Sequence, residues 1–564
     1  VSFPDDAAAW AELDPETFGE HFRYVYSHNP AKIPALLRLR FRHRKDEFLK
    51  YCWPERFGLP FNDMHRHLFE VSDVLPWHER PKPDLLDAVA APRGMGKSSI
   101  ASFGDVVHAI VYDVEAFIVL ISSGRDLVWD LSIDLLNQFK PLPDGSKDLR
   151  PLTRLYGPFR TNGGKMQWQV SVRGRPEIAL TTKSFGQDIR GIKHPTRGIR
   201  PTLVILDDAE KKDRVRNPEQ RALWESTLSK DILKLSGRES GTAFRFVGTI
   251  LHTDSILSRR LKDPGWRSEK YAAILQWPSE RAQGFWEKCR SIWADLSLGP
   301  QRRRKALEYY EKRRPIMEEE VELLDPVGMP LFTLYELIWS QGLASFLQEM
   351  QNDPVDPTVA IFHSPRFSYF SVQTNDKGER FLVVEGERPR VVAEDDLVYK
   401  VLHWDPSEGS VAGDYAAIAL VARDIHGYKY VLACWMARRP PSAQRDALWS
   451  MAEMWNVRRA RIESNGFQDL AAEPYERERD QRRLDGRYWQ LEIEHKAAST
   501  SKDERIASLE PEVSNGWILF NRALSKEVLA QFDMFPGGDH DDGPDAIQAA
   551  CAQLGYAGGV GMRS

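Results

Sequence analysis

The chain has 564 residues, with 77 Lys and Arg against 82 Asp and Glu for a net charge of −5, and 42% of it is hydrophobic. That length supports several domains with their own cores, while the near balance of charge excludes a globally basic nucleic-acid binder, so any DNA contact must come from local patches. No apolar run approaches bilayer-spanning length and no signal peptide is visible; Cys52, Cys289, Cys434 and Cys551 lack paired spacing and read as reduced core residues of a cytosolic protein, not as a disulfide framework or zinc site.

In chain order, residues 1–60 are rich in helix formers, aromatics and charge, and "LLRLRFRHRKDEFLKYCW" is amphipathic and basic. This predicts a helical extension that serves as a docking arm. Residues 61–265 predict a nucleotide-binding core. Leu85 to Ala91 is a short apolar run of strand character, and Ile100, Phe103, Val106, Val107, Ile110 and Val111 fall on one helical face. Between them, "AVAAPRGMGKSSIASF" follows the phosphate-binding pattern G-x-x-x-x-G-K-[ST], except that Ala91 stands at its first glycine. Strand, glycine loop and helix aim backbone N–H groups and a helix N-terminus at phosphate oxygens. Arg93, Gly94, Met95, Gly96, Lys97, Ser98 and Ser99 are therefore the expected ATP contacts, with Lys97 on the terminal phosphates and Ser98 on Mg²⁺. The bland alternative is an ordinary strand-to-helix turn with a stray lysine.

A nucleotide hydrolase also needs a carboxylate at the end of a second buried strand. "PTLVILDDAE" supplies it: Asp207 is placed to hold the metal, Asp208 to activate water, and Glu210 is the fallback base. Such strand ends also cap following helices, so the pairing with the glycine loop carries the reading. Another apolar strand, Ala116 to Ser123, lies between the two motifs and suggests the ATPases with an extra strand. "AFRFVGTILHTDSIL" predicts a fourth strand ending at Gly248-Thr249, where Thr249 can sense the γ-phosphate. Arg190, Arg197 and Arg200 precede the acidic strand; either one of them reaches a neighbouring subunit's ATP, or all three form surface ion pairs.

Residues 266–355 alternate tryptophans, prolines and charge blocks with helical stretches, predicting a lid or linker subdomain. Its "QRRRKALEYYEKRR", Gln301 to Arg314, is either a DNA-contact patch or a solvated helix face. Pro354 and Pro357 mark a boundary, a connector spans 356–395, and 396–564 carries a second chemistry. "LVYKVLHWDPSEGS" ends a strand at Asp405, two further strands complete an antiparallel meander, a helix follows, and "RRARIESNG" ends a strand at Glu463. "GGDHDDGPDAIQAACAQLG" then opens a helix with Asp541, Asp542 and Asp545, of which the first and last share a face where helical. Asp414 is a possible auxiliary acid. Converging carboxylates repel unless cations lie between them, and two Mg²⁺ or Mn²⁺ ions so held cleave phosphodiesters. Meander, helix, strand and acidic helix is the order of a ribonuclease H-like nuclease; taken singly, each acid is equally a turn, cap or ion-pair residue.

The chain thus resembles the large subunits of tailed-bacteriophage terminases, through "PRGMGKSS", "RPTLVILDDAE", "VGTILHTDS", "FLQEMQNDP", "HWDPS…GDYAAIAL", "RIESNG" and "HDDGPDA" in family order. The resemblance spans residues 60–555 and implies an α/β chain: a P-loop ATPase with a parallel sheet and lid helices, followed by a ribonuclease H-like nuclease domain. It implies that Lys97, Ser98, Asp207 and Asp208 serve ATP hydrolysis and that Thr249 belongs to the coupling motif. It implies that Arg93 is the basic residue of the loop, that Arg190 acts in trans, and that Asp405, Glu463 and the aspartate cluster hold nuclease metals. ATP, Mg²⁺ and, at the nuclease, Mn²⁺ are the implied cofactors. The implied partners are double-stranded DNA, the portal, the small terminase subunit and further copies in a ring, a pentamer, on the procapsid in the host cytoplasm, with no membrane. A helicase or repair ATPase fused to a metal-dependent nuclease is the alternative, and a catalytically dead DNA clamp a third. Asp207-Asp208 departs from the commoner Asp-Glu pair, and three clustered aspartates leave the last metal ligand open.

Overall fold

The apolar runs before and after the glycine loop are strands of one eight-stranded sheet in the computed structural model, which describes residues 13–143, 146–237, 241–354, 360–386, 389–407, 414–463, 469–486, 492–496 and 501–555. Contacts divide the chain into two units. The first is Val1–Trp277 with Val321–Leu334 and Ala344–Val355; the second is Pro278–Glu320 with Tyr335–Leu343 and Asp356–Ser564.

In the first unit the strands are β1 (Leu85–Ala90), β2 (Phe117–Ser122), β3 (Phe159–Gly164), β4 (Gln167–Val172), β5 (Ile178–Ser184), β6 (Leu203–Asp207), β7 (Ala243–Gly248) and β8 (Arg267–Lys270). Their order is β3-β4-β5-β2-β6-β7-β1-β8, parallel from β5 to β8 with an antiparallel edge of β3 and β4. β2, β6 and β7 are buried along their whole lengths. This explains the near-continuous apolar runs of β2 and β6, and of β7 apart from Arg245, because strands covered on both faces lose the alternation of half-exposed ones. The strand between β1 and the acidic β6 in the sheet is β7, which ends in Gly248. The Ala116–Ser123 run, β2, separates the two motifs only along the chain and flanks β6 on its other side. Two short strands, β9 (Ile274–Gln276) and β10 (Glu322–Leu323), pair separately.

The N-terminal basic stretch folds as helices Ile33–His43 and Lys45–Cys52 of this unit. Phe48 packs edge-on against Trp53, His108, Tyr112 and Tyr156. Arg40, fully buried, pairs with Glu47 and lies over the Phe18 ring.

The second unit carries a nine-stranded sheet: β11 (Ser368–Thr374), β12 (Arg380–Val384), β13 (Arg390–Ala393), β14 (Tyr399–Asp405), β15 (Ala416–Arg423), β16 (Lys429–Ala437), β17 (Arg459–Glu463), β18 (Glu492–Lys496) and β19 (Ile518–Asn521). Within its order β13-β12-β11-β19-β16-β15-β14-β17-β18, the run from β16 to β18 is an antiparallel meander followed by two strands parallel to its first member. That is the ribonuclease H-like arrangement, and the mixed α/β class holds for both units. Val401, Ala417, Ala419 and Val421 face one layer with Ala546, Ile547, Ala550 and Cys551. Leu402, Trp404, Ile418 and Leu420 face the other, with Leu448, Trp449 and Ala452.

Arginines of the Gln301–Arg314 patch are pinned in this unit. Arg302 is buried against the stacked Trp293 and Trp517 rings, at 4.9 and 5.1 Å from their centroids, Arg303 forks onto Glu336, and Arg314 pairs with Glu318. Arg304 stays exposed. All four cysteines are unpaired, and among the described residues no helix is long and apolar enough to cross a membrane.

Ile205, fully buried at the centre of β6, tests the dependence of the first sheet on that strand. Ile205→Ala should cost about 2–5 kcal/mol, read as a lower urea midpoint for the first unit.

Candidate nucleotide site and candidate nuclease centre

The glycine loop lies at the C-terminal edge of the parallel strands, between β1 and a helix that starts at Lys97, passes through a π-helical stretch at Ser99–Gly104 and continues to Tyr112. Gly94 and Gly96 take φ of +77° and +82°, the left-handed region that glycine enters without a Cβ penalty. A Cβ on Gly96 would also stand 3.1 Å from His65 Nε2. His65 is buried, and its tautomer follows from its contacts. Nδ1 accepts the Asn62 N–H at 3.2 Å, so Nε2 carries the proton and donates to the Met95 carbonyl at 2.7 Å. Burial pushes the pKa of this imidazole down, keeping it neutral.

Lys97 is buried. Its Nζ lies 3.1 Å from Asp208 Oδ2 and donates to Thr249 Oγ1 at 3.3 Å. Asp207, at the end of β6, accepts hydroxyls on both oxygens, from Ser98 at 2.8 Å and Ser102 at 2.7 Å. Burial and the neighbouring Asp208 charge push its pKa upward, against the hydroxyls and Lys97. Ser98 and Asp207 form the hard-oxygen pair that Mg²⁺ favours. Asp208 accepts the Thr249 N–H at 3.1 Å and adopts φ +43°. Aspartate enters that region more readily than longer side chains do, a physical reason for Asp in place of Glu here.

Glu210 is buried and turned into a helix cap. Its two oxygens accept the N–H groups of Ile256 and Leu257 at 2.8 and 3.1 Å, and burial raises its pKa to about 7. The Arg93 guanidinium meets the Glu349 carboxylate at 3.0 Å, and the Arg93 backbone N–H donates to the Glu349 carbonyl at 2.9 Å. Gln348 and Asn352, from the same segment, bond the backbone of Leu251 and Ile250 beyond Thr249. Arg93, Ser123, Asp208, Thr249 and Glu349 line a cavity of about 230 Å³. Arg190, in the loop after β5, is exposed and paired with Asp231 at 2.6 Å; Arg197 lies over Trp77 and Arg200 donates to the Ile192 carbonyl.

In the second unit, Asp405 ends β14. Trp404 and Ile462 face each other across parallel β14 and β17, so Asp405 and Glu463 are the next residues of neighbouring strands; the Glu463 side chain lies outside the described residues. By strand alternation Asp405 shares the Val401 face, which the Asp542–Gln553 helix covers. Asp541 is the residue before that helix, but its carboxylate does not cap it. It pairs with Lys502 Nζ at 2.6 Å, which also stands 3.4 Å from Asp542 Oδ1. Although burial alone would lower the Lys502 pKa, these carboxylates raise it. Asp545 accepts Arg505 NH2 on both oxygens, at 2.9 and 2.8 Å. The i, i+4 acids thus face the i, i+3 bases of helix Lys502–Ala507. Asp542 differs: its Oδ2 is enclosed and has no hydrogen-bond partner among the described residues, the kind of carboxylate oxygen a cation fits. Asp414 is exposed. Among the described residues no three His, Cys, Asp or Glu side chains gather as a metal-binding group.

His65, Ser102, Glu349 and Lys502 were not legible as site residues. Ser102 had a signal, since it stands four residues after Ser98 on the same helical face; His65 had none. Removing a brace worth one ordinary hydrogen bond, His65→Ala should weaken nucleotide binding about threefold to tenfold, measured with a fluorescent ADP analogue.

Among solved structures the chain is similar to the large terminase of the thermophilic bacteriophage D6E in complex with ADP, with 11% identity over 87% of this chain and 98% of that one and a TM-score of 0.43. It is similar to the ATPase domain of the Thermus phage P74-26 large terminase, with 11% identity over 55% and 98% and a TM-score of 0.30. It is also similar to the nuclease domain of the P74-26 protein, with 15% identity over 34% and 95% and a TM-score of 0.23. No protein-family profile and no curated protein matches the chain. The likeness to solved structures is thus one to phage large terminases, to the ATPase domain and to the nuclease domain alike.

Proposed function

We propose that the chain is a viral DNA-packaging motor subunit: it hydrolyses ATP to translocate double-stranded DNA through a portal into a procapsid and cuts concatemeric DNA. The observation that carries this reading is the presence in one chain of two separate acid-ended sheets. In one, Asp207 is tied to a phosphate-binding loop; in the other, a ribonuclease H-like strand order sets Asp405 and Glu463 on adjacent strands under an aspartate-bearing helix.

The chain's own groups divide the work. The loop N–H groups and Lys97 bind the phosphates, Ser98 and Asp207 are the residues that would hold Mg²⁺, and Asp208 orients the attacking water and takes its proton. Thr249, bonded to Lys97, Asp208 and the Ala91 carbonyl, reports the state of the terminal phosphate to the Gln348–Asn352 segment. In the nuclease unit, Asp405, Glu463 and Asp542 are the ligands that would hold Mg²⁺ or Mn²⁺, with Asp541 at the rim and Asp545 kept by Arg505. Such ions supply an activated water and stabilise the leaving oxygen. The small terminase subunit, the portal and further copies in a pentameric ring are the proposed partners, in the host cytoplasm. The exposed Arg190 is free to exchange Asp231 for a neighbouring subunit's ATP.

Lys97→Ala should lower ATP hydrolysis on the order of 10²–10³-fold and leave metal-dependent plasmid cutting intact. Asp405→Ala and Asp542→Asn should do the reverse, and EDTA should silence cutting. Loss of both activities from one substitution in a folded protein would count against two independent sites, and duplex unwinding by the wild type would favour a helicase.

Mixing Arg190→Ala with Lys97→Ala subunits should restore part of the hydrolysis that each lacks alone. A mixture as inactive as its parents, under conditions where the wild type assembles, would exclude Arg190 as a trans-acting group.

A further inference from the structure

The edge of the first sheet opposite the glycine loop holds a second polar cavity, of about 340 Å³, at the starts of β6 and β7. Six charged residues line it: Arg42, Lys45, Asp73, Asp105, Glu115 and Arg245. Arg42 and Asp73 are exposed at its rim and offset each other. The other four, two cations and two anions, are almost wholly buried, but their hydrogen bonds do not close.

Lys45 Nζ donates to Ser72 Oγ at 2.6 Å, and that hydroxyl bonds Asp105 Oδ1 at 2.8 Å. Glu115 is held by the equally buried Arg80 at 2.5 Å. Arg245 is left over. Its side chain is 4% exposed, no acceptor among the described residues takes a hydrogen bond from it, and its Nε is enclosed without a partner. The nearest carboxylate oxygen, Asp105 Oδ2, stands 3.8 Å from NH1 and is itself unpartnered. Lys45 and Arg80 are thus committed to Ser72 and Glu115, and the buried Asp87, beside Arg245 in the sheet, takes Arg267 at 2.7 Å, so the donors of Arg245 are the ones left without an acceptor. A buried guanidinium that makes no hydrogen bond is costly enough that proteins supply it an acceptor.

We propose that this cavity is an oxyanion site that takes a free phosphate ion. Arg245 supplies the planar N–H fork that matches tetrahedral oxyanions, Lys45 has a third N–H beyond those given to Ser72 and the Phe69 carbonyl, and Arg42 guards the entrance. Asp105 Oδ2 adds selectivity. It can only accept, so it favours an oxyanion that still carries a proton at neutral pH, which phosphate does and sulfate does not. The burial of Arg245 excludes a phosphodiester flanked by sugars on a duplex. The site is independent of the nucleotide pocket, although β7 carries Arg245 near its start and runs into Thr249.

Calorimetric titration of inorganic phosphate into the full-length Lys97→Ala protein isolates this cavity from the glycine loop. Saturable binding is expected there, with phosphate at least about tenfold tighter than sulfate. Adding Arg245→Met should abolish it, together with the phosphate-dependent rise in melting temperature, and adding Arg42→Gln at the exposed rim should weaken it severalfold. No saturable binding at millimolar phosphate, or binding unchanged by Arg245→Met, would overturn the site and leave water as the occupant. Should Arg245→Met fail to fold by circular dichroism, Arg42→Gln decides: unchanged affinity overturns the proposal and a severalfold loss supports it.

Discussion

The first unit is organised around one buried carboxylate. Asp207 takes a hydroxyl on each oxygen, from Ser98 and Ser102 of the helix that leaves the glycine loop, and so ties the acidic strand to the loop across the intervening β7. Without those two donors and Lys97 nearby, a charge so enclosed would be pushed toward protonation. The tie fixes the distance between loop and acid. It also places β7 under obligation to both neighbours, since that strand gives its hydrogen bonds to β1 on one side and β6 on the other. Thr249 then emerges where Lys97, Asp208 and the Ala91 carbonyl can all reach it.

The second unit meets the same difficulty differently. Three aspartates within five residues would repel one another, and helix Lys502–Ala507 answers with two cations at matching pitch. The answer is uneven. Arg505 gives Asp545 two bonds, Lys502 divides itself between Asp541 and Asp542, and one oxygen of Asp542 receives no hydrogen bond among the described residues, with His540 Nδ1 standing 4.0 Å away. That unevenness separates three residues that composition and spacing leave equivalent: a neutralised carboxylate is part of the scaffold, an unsatisfied one has capacity to spare.

What the sequence made legible follows from the range of the forces involved. Fully buried strands announce themselves as unbroken apolar runs, and the glycine loop announces itself because its backbone shape restricts residue type locally. The strand order did not: β2 and β7 are both apolar, and which of them lies between β1 and β6 is decided by packing between residues far apart in sequence. Glu210 was readable as an acid near the end of β6 but not as a cap, because the helix it caps begins at Ile256. The basic stretches misled in a similar way. Arg40 and Arg302 look like surface charge, yet each is buried against aromatic rings and backbone carbonyls, since a guanidinium can be stacked and hydrogen-bonded at once.

The left-handed backbone at Asp208 limits how this site can change over generations. Asn and Gly accept that conformation but bring no carboxylate; Glu brings the carboxylate but enters the conformation less readily and would have to fit a longer side chain between Lys97 and the Thr249 N–H. Position 208 therefore occupies a narrow corner of sequence space. An exchange to glutamate strains the β6–β7 junction, so a lineage that holds Asp here is expected to reach Glu more readily after a change elsewhere in that junction.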